Sequence, residues 1–337
     1  MKLSKKILLS FTLCLFISPV FAEQESFKET EVKATQGNVK SQFNLGVMYW
    51  KGQDVAQSYI QAFEWFTKAA VQGDIDAQFN LGVMYSKGLG VTQNDAKAFE
   101  WYSKAASQGH VYAQNVVGTK YVKGLGVTQS NIQAFEWFSK AAAQGNEDAQ
   151  NNLGTMYSDA QGITKDKVKA FEWYGKAAAQ GHVDAQYNLG VMYERGEGVA
   201  QSYAKAVEWY SKAATQGDSY AQNNLGVMYS KGLGVTQNDA KAFEWYSKAA
   251  SHGHVYAQNT IGGKYQKGLG VTQSNIKAFE WYSKAAAQGD AYAQYNLAEM
   301  YKSGLGVTQS NAKAFEWYGK AADQGHAQAK LMLARLQ

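Results

Sequence analysis

Between residues 94 and 109 apolar and polar positions alternate with the period of a helix. Ala98, Trp101, Tyr102 and Ala105 share one side, while Lys97, Glu100, Lys104 and Ser107 share another. Asn94 is placed to cap the start by accepting a backbone amide, and Gly109 to end it in a left-handed conformation. This segment is predicted to be a helix, here called B. Upstream, Ala77 to Tyr85 reads as a first helix, A, followed by Lys87-Gly88-Leu89-Gly90-Val91-Thr92-Gln93 as a turn.

The same pattern returns along the chain. Eight tryptophans stand at Trp65, Trp101, Trp137, Trp173, Trp209, Trp245, Trp281 and Trp317, each 36 residues after the last. A frame running from Asn38 to Gly73 repeats eight times over residues 38–325 without insertion or deletion. Gly82 recurs inside helix A in seven repeats, with Ala298 in the eighth. Glycine costs a helix interior about 1 kcal/mol relative to alanine, so its recurrence predicts close approach of A and B. The aromatic and alanine stripe is then core, which one unit cannot bury alone and stacked neighbours can. The predicted fold is all-α, an α/α superhelical solenoid of helix–turn–helix repeats. Residues 23–37 read as an N-terminal capping helix, with Glu29 in the tryptophan position, and residues 326–337 as a C-terminal one. The Glu-to-Lys pairs at i,i+4, such as Glu100 and Lys104, read as a solvated ladder.

The signature Ala77-x-x-x-Leu81-Gly82-x-x-Tyr85, Gly88-x-Gly90-Val91, Lys97-Ala98-x-x-Trp101-Tyr102-x-Lys104-Ala105-Ala106-x-x-Gly109 resembles the Sel1-like repeat family, whose unit is a longer relative of the tetratricopeptide repeat. The resemblance spans nearly all of the chain after residue 22. It implies an α/α scaffold or adaptor that mediates protein–protein interactions, and it names no partner. Three departures stand out. Repeat 1 has Gln53-Asp54 at the second turn glycine. Repeat 4 reads Asp159-Ala160-Gln161-Gly162, which predicts a conformationally distinct turn. Repeats 3 and 7 replace the Met-Tyr pair with Lys120-Tyr121 and Lys264-Tyr265. Residues 80–115 and 224–259, offset by four repeats, differ only at Gln108 against His252, which points to duplication of a multi-repeat block.

The first residues read as an address. Lys2, Lys5 and Lys6 precede an apolar run from Ile7 to Phe16, and Val20-Phe21-Ala22 suits cleavage after residue 22. Residues 1–22 are therefore expected to be a cleaved signal peptide, leaving an exported protein, periplasmic or secreted, with no membrane insertion. Cys14 and Pro19 would leave with it, so no disulfide would support the fold. The formal charge would fall from +5 to +2, since 33−3=30 basic residues face 28 acids. That balance offers no argument for nucleic acid or a membrane surface as partner.

Candidate chemistry is sparse. Gly88-Leu89-Gly90 lacks the strand that a phosphate-binding loop needs, and reads as turn glycines. His110, His182, His254 and His326 lie too far apart for one metal. Ser202, Ser274 and Ser310 each begin a Ser-x-x-Lys, with Lys205, Lys277 and Lys313, as in penicillin-binding or β-lactamase-like hydrolases. All three fall where repeats 2 and 6 carry Asn94 and Asn238, so capping is the expected role. No enzyme activity, metal or cofactor is expected. Instead, the face of helix A predicted to line the concave surface carries Asn80, Asn152, Asn188, Asn224 and Asn296 with Tyr220, Tyr256 and Tyr292. Amides and phenol rings in rows suit an extended protein or peptide ligand. The expected role is an envelope scaffold or adaptor. The alternatives are a secreted factor acting on a host or neighbouring cell, and the hydrolase.

Overall fold

Each helix forms where the periodic pattern places it, and its ends are closed by the residues beside it. A computed structural model describes residues 26–336. Helix A spans Val39–Lys51 in repeat 1, and its counterpart recurs every 36 residues to Ala291–Ser303 in repeat 8; helix B runs likewise from Tyr59–Val71 to Asn311–Asp323. Two end helices, Phe27–Thr35 and Ala327–Leu336, flank them, so every described element is α-helical. The signal-peptide expectation for residues 1–22 lies outside the described residues.

The chain forms two compact units, one ending at Ala177 and the other beginning at Ala178. The first holds the Phe27–Thr35 helix and repeats 1–4 to that point, the second repeats 5–8 and the last helix. Within each unit, helix A packs on helix B of its own repeat, and helix B on helix A of the next.

The mid-helix glycines do what their recurrence predicted. A Cβ on Gly82 would lie 2.6 Å from the ring of Tyr102, and one on Gly226 2.7 Å from that of Tyr246. The missing side chain is the space the ring occupies. Around it Ala98, Ala105, Leu81 and Met84 are fully buried. Consecutive repeats are joined edge-to-face, Phe99 on Tyr121 at 5.2 Å and Phe279 on Tyr301 at 5.3 Å.

A second joint is polar. Gln78 of helix A is 5% exposed and donates from Nε2 to the Ala70 carbonyl ending the preceding helix B. Its Oε1 accepts from Gln108, which caps its own helix B, at 2.7 Å. The relay repeats at Gln42, Gln114, Gln186, Gln222, Gln258 and Gln294; opposite Gln222, His252 takes the capping glutamine's place through Nδ1 at 3.1 Å. Buried carboxamides thus find partners on both sides, as groups removed from water must.

The tryptophans correct one expectation. Of the eight repeated at 36-residue spacing, Trp65 is 8% exposed but the other seven are only half-buried. Their outer faces are covered by lysine, Lys104 Nζ standing 4.0 Å from the Trp101 ring centre and Lys212 3.9 Å from that of Trp209. The Glu–Lys ladder is therefore more than a solvated row, because its lysines roof the core.

The turn of repeat 4 is not distinct. Ala160 takes φ 58, ψ 39, beside φ 69, ψ 35 at Gly88 in repeat 2. The closing bond survives too, Gln161 N to Met156 O at 3.1 Å against Leu89 N to Met84 O at 3.0 Å. Alanine can adopt this left-handed conformation at a cost of about 1–2 kcal/mol. Ala160→Gly is accordingly expected to stabilise the chain by about 0.5–1 kcal/mol, part of the relief being returned to the unfolded state. A urea titration reads this, and an unchanged or lowered midpoint would refute it.

Candidate functional site

The histidines set one edge of the candidate face. His110, His182, His254 and His326 are N-caps of A-type helices, each Nδ1 accepting the amide three residues on at 3.1–3.2 Å. Asn38, Asp74, Asn146, Asp218 and Asp290 do the same elsewhere. Histidine can take this place because its unprotonated ring nitrogen is an acceptor. Among the described residues no group of three or more His, Cys, Asp or Glu is gathered for a metal.

The serines of the three Ser-x-x-Lys matches are caps as well. Ser202, Ser274 and Ser310 each accept, at 3.3 Å, the backbone amide of the lysine three residues ahead. The lysine ammonium groups stand over tyrosine rings of helix A, Lys205 5.3 Å from Tyr193, Lys277 5.3 Å from Tyr265 and Lys313 5.2 Å from Tyr301.

On helix A the predicted residues divide by role. Tyr220, Tyr256 and Tyr292, all in the second unit, are 38%, 55% and 67% exposed. They occupy the same position, second in the helix, on three successive A helices. Tyr220 meets the His254 ring edge-on at 4.8 Å, and Tyr292 meets His326 at 5.0 Å. These contacts brace two of the three rings within the array.

The asparagines are less available. Asn80 is 4% exposed. Asn152 donates to Asn115 Oδ1 at 3.1 Å, and Asn296 to Asn259 Oδ1 at 3.0 Å, so both tie neighbouring A helices together. Asn224 Oδ1 accepts from Asn223 Nδ2 at 3.5 Å. Asn188 is half-buried. The row is thus partly used within the array.

The position just before this row, that of Phe79, belongs to the same helix A stripe. It reads Phe79, Asn115, Asn151, Tyr187, Asn223, Asn259 and Tyr295 from repeat 2 onward. Where the next cap is histidine an aromatic here stacks on it, Phe79 on His110 at 4.5 Å and Tyr295 on His326 at 4.7 Å, while Tyr187 meets Tyr220 edge-on at 6.3 Å. Burial raises the pKa of Tyr187, with Asp218 adding to it, and of Tyr295, with Glu299 adding, so both stay neutral at ordinary pH. In repeat 6 the residue is Asn223, 7% exposed, whose Oδ1 has no hydrogen-bond partner. One helical turn from Tyr220, this is a buried acceptor in want of a donor.

Comparison with known proteins decides the family. The Sel1 repeat model matches eight times in succession, at residues 39–74, 75–110, 111–146, 147–182, 183–218, 219–254, 255–290 and 291–326. The chain belongs to the Sel1 repeat family. It is similar in structure to c5321, described as a protective antigen present in uropathogenic Escherichia coli strains. The identity there is 39% and the TM-score 0.87, over 93% of this chain and 67% of that one. It is also similar to a Sel1 repeat protein from Oxalobacter formigenes, at 32% identity and TM-score 0.74, over 100% and 98% of the two chains. No curated protein matches the chain. Sel1-repeat proteins generally mediate protein–protein interactions, and their scaffold is usually non-enzymatic. Among the described residues, no helix of this Sel1-repeat chain is long and apolar enough to cross a membrane.

Proposed function

We propose that this Sel1-repeat chain is an exported scaffold of the bacterial envelope that holds a protein segment along the A helices of its second unit. The observation that carries the reading is the row of exposed Tyr220, Tyr256 and Tyr292 at one position of three successive A helices. Exposed tyrosines offer large contact area at low cost in side-chain entropy. Export is supported by the charged, apolar and small-residue pattern of residues 1–22.

Replacing Tyr220, Tyr256 and Tyr292 together with alanine is expected to cut recovery of the partner from native envelope extract at least tenfold, with helicity unchanged. A loss of only about 1.4 kcal/mol suffices for that, within the range of one interface hot spot. Full recovery by the folded variant would sink the reading. A second role, as a secreted factor acting on a host or neighbouring cell through the same face, draws support from the description of the similar E. coli protein as a protective antigen. Cell fractionation separates the two, retention in the periplasm favouring the scaffold.

A further inference from the structure

The near-neutral total charge conceals a one-sided distribution in the second unit. The A–B turn segments of repeats 6–8, residues 229–241, 265–277 and 301–313, contain Lys231, Lys241, Lys267, Lys277, Lys302 and Lys313 against a single acid, Asp239. That acid is already paired with Lys264 at 3.0 Å. At the opposite ends of the same helices, residues 215–220, 251–256 and 287–292 contain Asp218 and Asp290 and no lysine. Successive A ends and B starts lie side by side, so the six ammonium groups form one basic edge.

Helix geometry accounts for part of this. Lys231, Lys267 and Lys302 lie in the last turns of A helices, where cations are favoured, and Lys241, Lys277 and Lys313 lean over tyrosine rings. It does not account for the apolar residues between them. Leu269 and Leu305 at the turn tips are 42% and 38% exposed, and Ile276 at the start of helix B is 64% exposed. The turn does not require leucine, since Gln53, Gln161 and Glu197 hold that position in other repeats. Nor does helix B require isoleucine, since Ala204, Ala240 and Ala312 hold the other position. The edge therefore combines lysines with aliphatic tips and carries no exposed aromatic ring on which a nucleic-acid base could stack.

From this pattern we propose that the A–B turn edge of repeats 6–8 docks on an anionic lipid surface. The lysines meet the headgroups, and Leu269, Ile276 and Leu305 enter the boundary between headgroups and acyl chains. Such contact is peripheral, and it leaves the tyrosine row on the A helices open to a protein. Each lysine near a charged bilayer contributes about fivefold in affinity, and the attraction fades within about 10 Å at 0.1 M salt.

The test is co-sedimentation of the chain from Glu23 onward, which carries every described helix, with phosphatidylcholine vesicles with and without phosphatidylglycerol. Binding to the doped vesicles alone is expected, with reversal by salt. Lys231→Gln, Lys267→Gln and Lys302→Gln together should weaken it about a hundredfold. Leu269→Ser with Leu305→Ser should weaken it about tenfold, while the triple tyrosine variant should bind as the parent does. Equal binding to both vesicles, no binding at low salt, or an unaffected lysine variant would overturn the proposal. So would a leucine variant of parental affinity together with equally tight binding of single-stranded DNA, which would make the edge a general polyanion site.

Discussion

Gly90→Ala is expected to destabilise the first unit by about 3–5 kcal/mol, among the largest effects a single methyl group can have. Gly90 has φ +68, and a Cβ there would fall 2.2 Å from the carbonyl oxygen of Tyr59, at the start of the preceding helix B. The obstacle is backbone, so no side chain can rotate away. Relief requires the A–B turn of repeat 2 to lift from repeat 1, opening the interface through which stacked repeats stabilise one another. Gly109→Ala is the control. Its φ is +95, yet nothing lies within 4 Å of the added carbon, so only the conformational cost of about 1–2 kcal/mol applies. Urea midpoints measure the difference, and hydrogen exchange should place the Gly90 effect around Tyr59 and the turn. Equal losses in the two variants would mean that close packing of the turn contributes nothing.

Asp95→Ala is expected to cost about 3 kcal/mol, because it strands a cation in the core. Lys120, with its side chain 6% exposed, pairs with Asp95 at 2.9 Å across the repeat 2–3 boundary, and Lys264 with Asp239 at 3.0 Å across the repeat 6–7 boundary. The lysine position is methionine in the other six repeats: Met48, Met84, Met156, Met192, Met228 and Met300. Lys120→Met alone should be nearly neutral, since the Asp95 side chain is 38% exposed and can rehydrate. Combining the two should restore wild-type stability or exceed it. This double-mutant cycle isolates the pair. Failure of Lys120→Met to rescue Asp95→Ala would show that the loss lies elsewhere, for instance in the first turn of helix B.

The helices, their order and the pairing of small with aromatic residues were legible because one spacing recurs eight times and only one arrangement buries it. Asn94 and Gly82 announced their roles by residue type and place. Roles that depend on a neighbour three dozen residues away were harder to read. Gln78 looked like any polar residue in a helix until its two partners were seen. Lys120 looked like a departure until Asp95 lay beside it. The histidines were weighed as metal ligands, although the series of Asn, Asp and His at one position already indicated an acceptor. On the candidate face the tyrosines could be named from sequence. Which asparagines were committed within the array could not, because Asn115 and Asn259 receive Asn152 and Asn296 only when neighbouring A helices are side by side.

The Asp–Lys pairs also govern how such a gene can change length. Losing repeat 2 alone would bring Lys120 against the counterpart of Asp95 in repeat 1, which is Tyr59, and leave a buried ammonium group without a counter-ion. Recombination between the near-identical stretches 80–115 and 224–259 has a different outcome. It excises 224−80=144 residues, or four repeats, and ends with either Asp95 or Asp239 opposite Lys264. The ionic pair is regenerated at the new junction. Copy number in this array can thus move in steps of four with every interface intact, whereas deletion of repeat 2 alone is penalised in the folded protein.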